Sequence, residues 1–275
     1  REAMMRRTID GLPSLVWGGV GKEVIKDDLA TDDLMIIPVL RACLAHIGEI
    51  FSKVYLAGTS CVAFYMGWRA DSLRSGMGGS VYLFPEDREP GLVNLFRAMG
   101  RDFEIVRKTV PERLWEKAVK SIDSGIPVPC VEWEPVAHRG HWAIIAGYDR
   151  QGREFLGRSY DAESHTEYVT LRPGDLHYII VIGDRVKERT SGRGAALGAL
   201  RCAIQMSRAG IRAGEETGAY GLIAYERDAE MIPEGMDPTI GGYELLEHFL
   251  FWRLEVLYNC RHYAVEYLRH IAEEF

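Results

Sequence analysis

What the sequence lacks narrows it first. Its five cysteines (Cys43, Cys61, Cys130, Cys202 and Cys260) are odd in number and none stands in a CxxC spacing, so neither a disulfide framework nor a zinc pattern is present. Reduced thiols in a cytoplasmic protein fit that usage. The most apolar runs, LMIIPVL and YIIVIG, are far too short to cross a bilayer, and no membrane partner is expected. The opening REAMMRRTIDGLPSLVW has basic residues but no apolar core of signal-peptide length. There is no Lys/Arg block or RNA-binding signature, and a net charge of −7 with a pI near 5.7 argues against a nucleic-acid partner. The glycine-rich RSGMGGS lacks the Lys-Ser/Thr of a phosphate loop and the strand–turn–helix setting of a dinucleotide fold. No cofactor is implied.

What is present is an ordinary folded chain. Its 275 residues, 47% hydrophobic and 27% charged, can bury one large core or two modest ones without metal or disulfide support. A helix is expected over DLMIIPVLRACLAHIGEIF, capped by Asp32 or Asp33 and closed near Gly48. VYLAGTSCVAFYMGW is ambiguous between helix and strand. SVYLF reads as a strand, PGLVNLFRAMG as a helix and FEIVRK as a strand. VPERLWEKAVKSIDSG reads as a helix opened by Pro111 and closed by Gly125. IPVPCVEWE, GHWAIIAGYD, EFLGRSYD and DLHYIIVIG follow as strands. Helices followed by an antiparallel sheet indicate an α+β architecture.

Polar, glycine-rich DRVKERTSGRGAA marks a boundary between residues 1–186 and an all-α C-terminal subdomain, residues 193–275. There AALGALRCAIQMSRAGI and AYGLIAYERDAEMI read as helices, and a long helix runs from about Tyr243 to the end. Its apolar stripe is Leu246, Leu250, Leu254, Leu257, Cys260, Ala264, Leu268 and Ile271. The tail's aromatic residues exceed what one stripe can bury, which points to a homodimer through these helices. His262, Glu266 and His270 share one face with ligand-like spacing, and Glu226 and Glu230 are the carboxylates that could join them. A solvated polar face explains the same residues, so no metal site is expected.

The chemistry on offer is an imidazole, a carboxylate and a thiol. His141 starts one strand and Asp161 closes the next. If the two strands pair across the Gly152 turn, their far ends lie side by side. The rival carboxylate, Asp149, lies at the turn. A plain hairpin with a surface histidine explains the pattern equally well. Among the thiols, Cys61 alone follows a Gly-Thr-Ser turn, where a helical CVAFYM would favour its thiolate. The other four cysteines sit among apolar residues as small hydrophobes, and Cys61 can be core as well.

The string GHWAIIAGYDRQG…SYD, preceded by SIDSGIPVPCVEW, resembles the papain-like cysteine peptidase superfamily, in its double-glycine leader peptidase-like branch. Within that branch it looks most like the butirosin biosynthesis protein H N-terminal-type domain with a helical extension. VLRACLAHIGEIFSKVYLAGTSCVAFYMGW is similar to that family's helix-plus-glycine segment. The resemblance implies a papain-like fold, with His141 as proton shuttle and Asp161 orienting it. It does not supply the nucleophile, because the family position falls near Asp33 to Met35, where there is no cysteine.

Two readings follow. In the first, Cys61 attacks an amide or thioester carbonyl, with backbone N–H groups around Thr59, Ser60 and Cys61 as oxyanion donors. The substrate would then be a small-molecule or carrier-protein-bound acyl group, and natural-product biosynthesis the setting. In the alternative, the fold has lost its thiol chemistry and serves as a ligand- or partner-binding protein.

Overall fold

The structure is a computed structural model. It describes residues 5–13, 15, 36–65, 67–69, 85–134, 139–160, 168–208, 218–220, 222–223, 226 and 242–275. The chain is a mixed α+β protein of two compact units. One, the sheet unit, comprises Arg1–Lys53 and Met99–Arg189; the other, the helical unit, comprises Val54–Ala98 and Thr190–Phe275. The break at 189/190 falls within the polar stretch that reads as a boundary, while residues 54–98 join the C-terminal helices.

The sheet unit is built on seven antiparallel strands. In chain order they are β1 (Arg6–Thr8), β3 (Arg101–Arg107), β4 (Val128–Glu134), β5 (Arg139–Asp149), β6 (Glu154–Ser159), β7 (Val169–Leu171) and β8 (Leu176–Arg185); β2 belongs to the helical unit. Their spatial order is β3-β8-β4-β5-β6-β7, and β1 pairs with the C-terminal part of β5. The central strand β5 holds Trp142, Ala143, Ile144, Ile145, Ala146 and Tyr148, all buried. Its unbroken apolar run is what a strand covered on both faces requires. The β5–β6 turn is tied by Asp149, whose Oδ1 accepts from the backbone N–H of Gln151 (2.8 Å) and Gly152 (3.3 Å). Strands β1 and β7, three residues each, carry too short a pattern to be read from sequence.

Two helices of this unit, α1 (Ile36–His46) and α4 (Pro111–Asp123), contact β4 and β5. Both end as their sequences direct. At α1, Gly48 takes φ 81°, its N–H donates to Ala45 O (3.0 Å), and that of Glu49 donates to Leu44 O (2.9 Å). At α4, Gly125 takes φ 77°, with N–H donors of Gly125 and Ile126 on Ile122 O and Ser121 O. A residue with a Cβ resists that left-handed conformation, and the two reversed bonds satisfy carbonyls that the helix end would otherwise orphan. The N-terminal cap expected at Asp32 or Asp33 lies outside the described residues, as does SVYLF. Helix α4 is amphipathic, burying Leu114, Ala118, Val119 and Ile122. Its outer edge reaches β3, where Glu104 accepts from Lys117 Nζ (2.5 Å) and Arg113 Nη2 (2.5 Å). Those two cations hold the Glu104 carboxyl below its ordinary range, Lys117 contributing most.

The helical unit contains α2 (Lys53–Thr59), a short 3₁₀ turn (Val62–Phe64), α3 (Pro85–Met99), α5 (Gly192–Ser207) and α6 (Gly242–Glu274), which runs for 33 residues. The ambiguous VYLAGTSC stretch is therefore helical up to Thr59. Two sequence expectations need correction. Gly218–Tyr220 forms strand β9, antiparallel to β2 (Gly67–Arg69), so AYGLIAYERDAEMI does not begin as a helix; pairing with a partner far away in the chain overrides its apolar spacing. Among the residues of α6 from 257 onward, the buried positions are Cys260, Ala264 and Tyr267, whereas Leu268 is 41% exposed. The 3-4 alternation of a real helix face thus selects Tyr267 over its apolar neighbour. Among the described residues no helix is long and apolar enough to cross a membrane.

Candidate functional site

The sheet unit carries the imidazole. His141 lies on β5 opposite Glu132 of β4. On the other side of β5 the pairing with β6 runs from Asp149↔Glu154 to Ala143↔Ser159, and so stops two residues short of His141 on one strand and of Asp161 along the other. Asp161 lies outside the described residues, and so does the Asp33 to Met35 segment. Asp149 is a turn-former: its carboxylate is engaged by Gln151 and Gly152.

The helical unit carries the thiol, at its most crowded point. Helix α2 ends at Thr59, Ser60 turns the chain, and Cys61 adopts φ 62°, ψ 3°. This left-handed conformation is uncommon for a residue with a Cβ. Cys61 is 1% exposed and packs with Ala199, Cys202 and Tyr267. Its S–H is shared between the Ala199 carbonyl at 3.4 Å and the Cys202 sulfur. The hydrogen bond with Cys202, and then burial, push the Cys61 thiol far above its ordinary value, because a thiol held as donor in a dry cluster resists losing its proton. The same bond lowers Cys202, which accepts it.

The flanking groups are equally committed. The N–H of Ser60 donates to Leu56 O and that of Cys61 to Gly58 O, both at 3.0 Å. Ser60 Oγ donates to Ala57 O (3.4 Å), and Thr59 Oγ1 to Tyr267 Oη (3.3 Å). Asn94 Nδ2 bridges Thr59 O (2.9 Å) and Ala195 O (3.0 Å), joining α2, α3 and α5. The following 3₁₀ turn is one turn long, so it offers little of the dipole that a helical CVAFYM would lend to a thiolate. In this conformation the N–H groups of Ser60 and Cys61 are bonded within the turn and the Cys61 S–H donates to Ala199 O.

No known family model matches the chain, and no curated protein sequence matches it. The residues alone therefore carry the functional reading. Sequence reasoning missed Cys202 and Asn94 as neighbours of the Gly-Thr-Ser-Cys turn. Cys202 could be placed on an apolar helix face, but nothing in the spacing says that this face meets Cys61.

The His262, Glu266 and His270 face is occupied by local contacts. His262 stacks on Tyr258 (6.2 Å between centroids), Glu266 accepts from Arg269 (2.6 Å) and His270 pairs with Glu274 (3.2 Å). Among the described residues no three His, Cys, Asp or Glu side chains gather as a metal site.

One further concavity lies in the sheet unit, a groove of about 300 Å³ lined by Trp115, Val119, Lys120, Asp123 and Arg150 among others. Its floor is rigid. Trp115 stacks on Phe155 (4.8 Å), and Tyr148 Oη donates to Asp123 Oδ1 (2.7 Å). Burial, then the neighbouring Asp123, hold the Tyr148 hydroxyl above its ordinary value. Arg7 and Arg150 lie 3.6 and 3.7 Å from the same carboxylate. An indole edge beside cations and a carboxylate suits a small polar ligand with a flat face.

Proposed function

We propose that the chain is a ligand- or partner-binding protein built on a papain-like scaffold that does not use Cys61 as a nucleophile. The observation that carries this reading is the state of Cys61: buried, its proton shared with Ala199 O and Cys202, and its flanking N–H groups bonded within the turn. A nucleophilic cysteine needs partial exposure and an electropositive surrounding that favours the thiolate, and the Cys61 cluster offers neither. The Trp115–Arg150 groove is the proposed small-ligand seat. A second copy of the chain is the proposed macromolecular partner, through the exposed Tyr258, Val265 and Leu268 of α6.

A second reading keeps the enzyme. Cys61 would attack a carrier-bound or small-molecule acyl group, with His141 moving the proton and Asp161 orienting His141. The β5–β6 register, which runs toward both residues, favours it.

Iodoacetamide labelling of the native protein with mass mapping separates the two. Binding without thiol chemistry requires Cys61 to label no faster than the buried Cys43 and Cys130, and His141→Ala to leave its rate unchanged. Preferential labelling of Cys61 that slows in His141→Ala would establish the enzymatic reading instead.

A further inference from the structure

The helical unit places two sulfurs together that lie far apart in the chain. Cys61 follows α2, while Cys202 sits on α5 three residues after Ala199, the residue whose carbonyl accepts from Cys61. Neither is in a disulfide, and they share one packed cluster with Ala199 and Tyr267. Small residues at Ala195 and Ala199 let the α5 backbone come close to the turn, and Asn94 fixes that approach by bonding both Thr59 O and Ala195 O. The Cys61 sulfur faces this helix, its S–H donating to the Ala199 carbonyl 3.4 Å away.

We propose that Cys61 and Cys202 are a redox pair that closes to a reversible disulfide when the protein meets hydrogen peroxide. Geometry sets the order of steps. Cys202 is 7% exposed against 1% for Cys61 and accepts the thiol–thiol hydrogen bond, so it reacts first. Its thiolate sulfur attacks one peroxide oxygen; the S–O bond forms, the O–O bond breaks, and the departing hydroxide takes a proton to leave as water. The Cys61 sulfur then attacks the Cys202 sulfenic acid. The S–S bond forms, the S–O bond breaks, and the hydroxyl leaves as a second water with the Cys61 proton. Two electrons pass from the two sulfurs to one hydrogen peroxide, and a dithiol reductant reverses the change by exchange. The pair stands whether or not Cys61 also serves in acyl transfer, since it needs only the two thiols in one packed cluster.

The test uses the native wild-type chain treated with hydrogen peroxide, then alkylated in denaturant, digested and mapped by mass with and without dithiothreitol. The expected result is a linked species joining the Cys61 and Cys202 peptides. It is two hydrogens lighter than their sum and disappears on reduction, while Cys43 and Cys130 are alkylated as in untreated protein. In Cys61→Ser, dimedone should trap a sulfenic acid at Cys202; in Cys202→Ser, no linked species should form and Cys61 should give no adduct. Full alkylation of both residues after peroxide treatment that oxidises an exposed model thiol would overturn the pair. So would linkage of Cys61 to Cys260 instead, or sulfenic acid at both residues without linkage. The wild-type mapping decides the matter even if a serine variant fails to fold.

Discussion

The interiors of the two units combine side-chain packing and close backbone approach, and the thiol cluster belongs to one of them. In the sheet unit, long apolar side chains are buried: Ile144, Ile145, Trp142 and Tyr148 on β5, which contacts both α1 and α4, and Leu114, Ala118 and Ile122 on α4. In the helical unit, glycines bring α2 and α3 against their neighbours, as Gly147 and Gly157 also do between strands of the sheet unit. A Cβ added at Gly91 would overlap the Ser60 carbonyl oxygen, and one at Gly58 would overlap the Tyr267 ring. Filled apolar space is sensitive to removal of volume, and a close glycine approach to its addition. The difference bears on function, because the only cysteine that follows a Gly-Thr-Ser turn sits in the tightly closed core. A thiol so enclosed is suited to packing and to meeting another thiol rather than to meeting a substrate.

The largest expected effect comes from emptying the sheet unit. Ile144→Ala, at a fully buried position, should cost about 2–5 kcal/mol, read as a fall in the urea midpoint. A loss below about 1 kcal/mol would mean that the strand is not the filled centre described here. Next, Gly91→Ala should cost about 1–3 kcal/mol by overfilling the helical unit. If Gly91→Ala is neutral, the close approach to Ser60 is not a constraint and the comparison between filled space and close approach fails.

A smaller effect belongs to the surface of the sheet unit. Lys117 and Arg113 depress the Glu104 carboxyl in the folded state. A group whose folded pKa lies below its unfolded one stabilises above the ordinary glutamate value of 4.5, and that contribution disappears as pH falls through the folded pKa. Glu104→Gln should therefore lower stability at neutral pH by about 0.5–1 kcal/mol, the size of a partly exposed ion pair. It should also shrink the loss seen on acidification. An unchanged acid dependence would remove Glu104 from the account.

Much of the sheet unit was legible in the sequence because its signals are local. Pro111, Gly48 and Gly125 bound their helices through backbone chemistry that each residue carries with it. Strands β3, β4, β5, β6 and β8 announce themselves as β-rich apolar runs between turns. The helical unit was less legible for a physical reason. What defines it are tertiary contacts between distant residues: Cys61 with Cys202, Asn94 with both Thr59 and Ala195, and β2 with β9. On α6 the choice of Tyr267 over Leu268 depends on the phase of the helix, which an apolar count alone does not settle. Of the candidate site, the β5–β6 hairpin was legible. The hairpin register runs toward His141 and Asp161, but no reading of one strand pair could show that Cys61 is enclosed by α5 and α6.

The central claim, that Cys61 is a packed thiol and not a poised nucleophile, is tested most directly by the pH dependence of its alkylation in the native protein. Followed by mass mapping from neutral to alkaline pH, Cys61 should stay unmodified through the neutral range and react only as the solution becomes strongly alkaline or the fold opens, since both its hydrogen bonding to Cys202 and its burial hold the proton on. A rate that has already reached its plateau at neutral pH would show a thiolate stabilised in the folded protein, and would contradict this account.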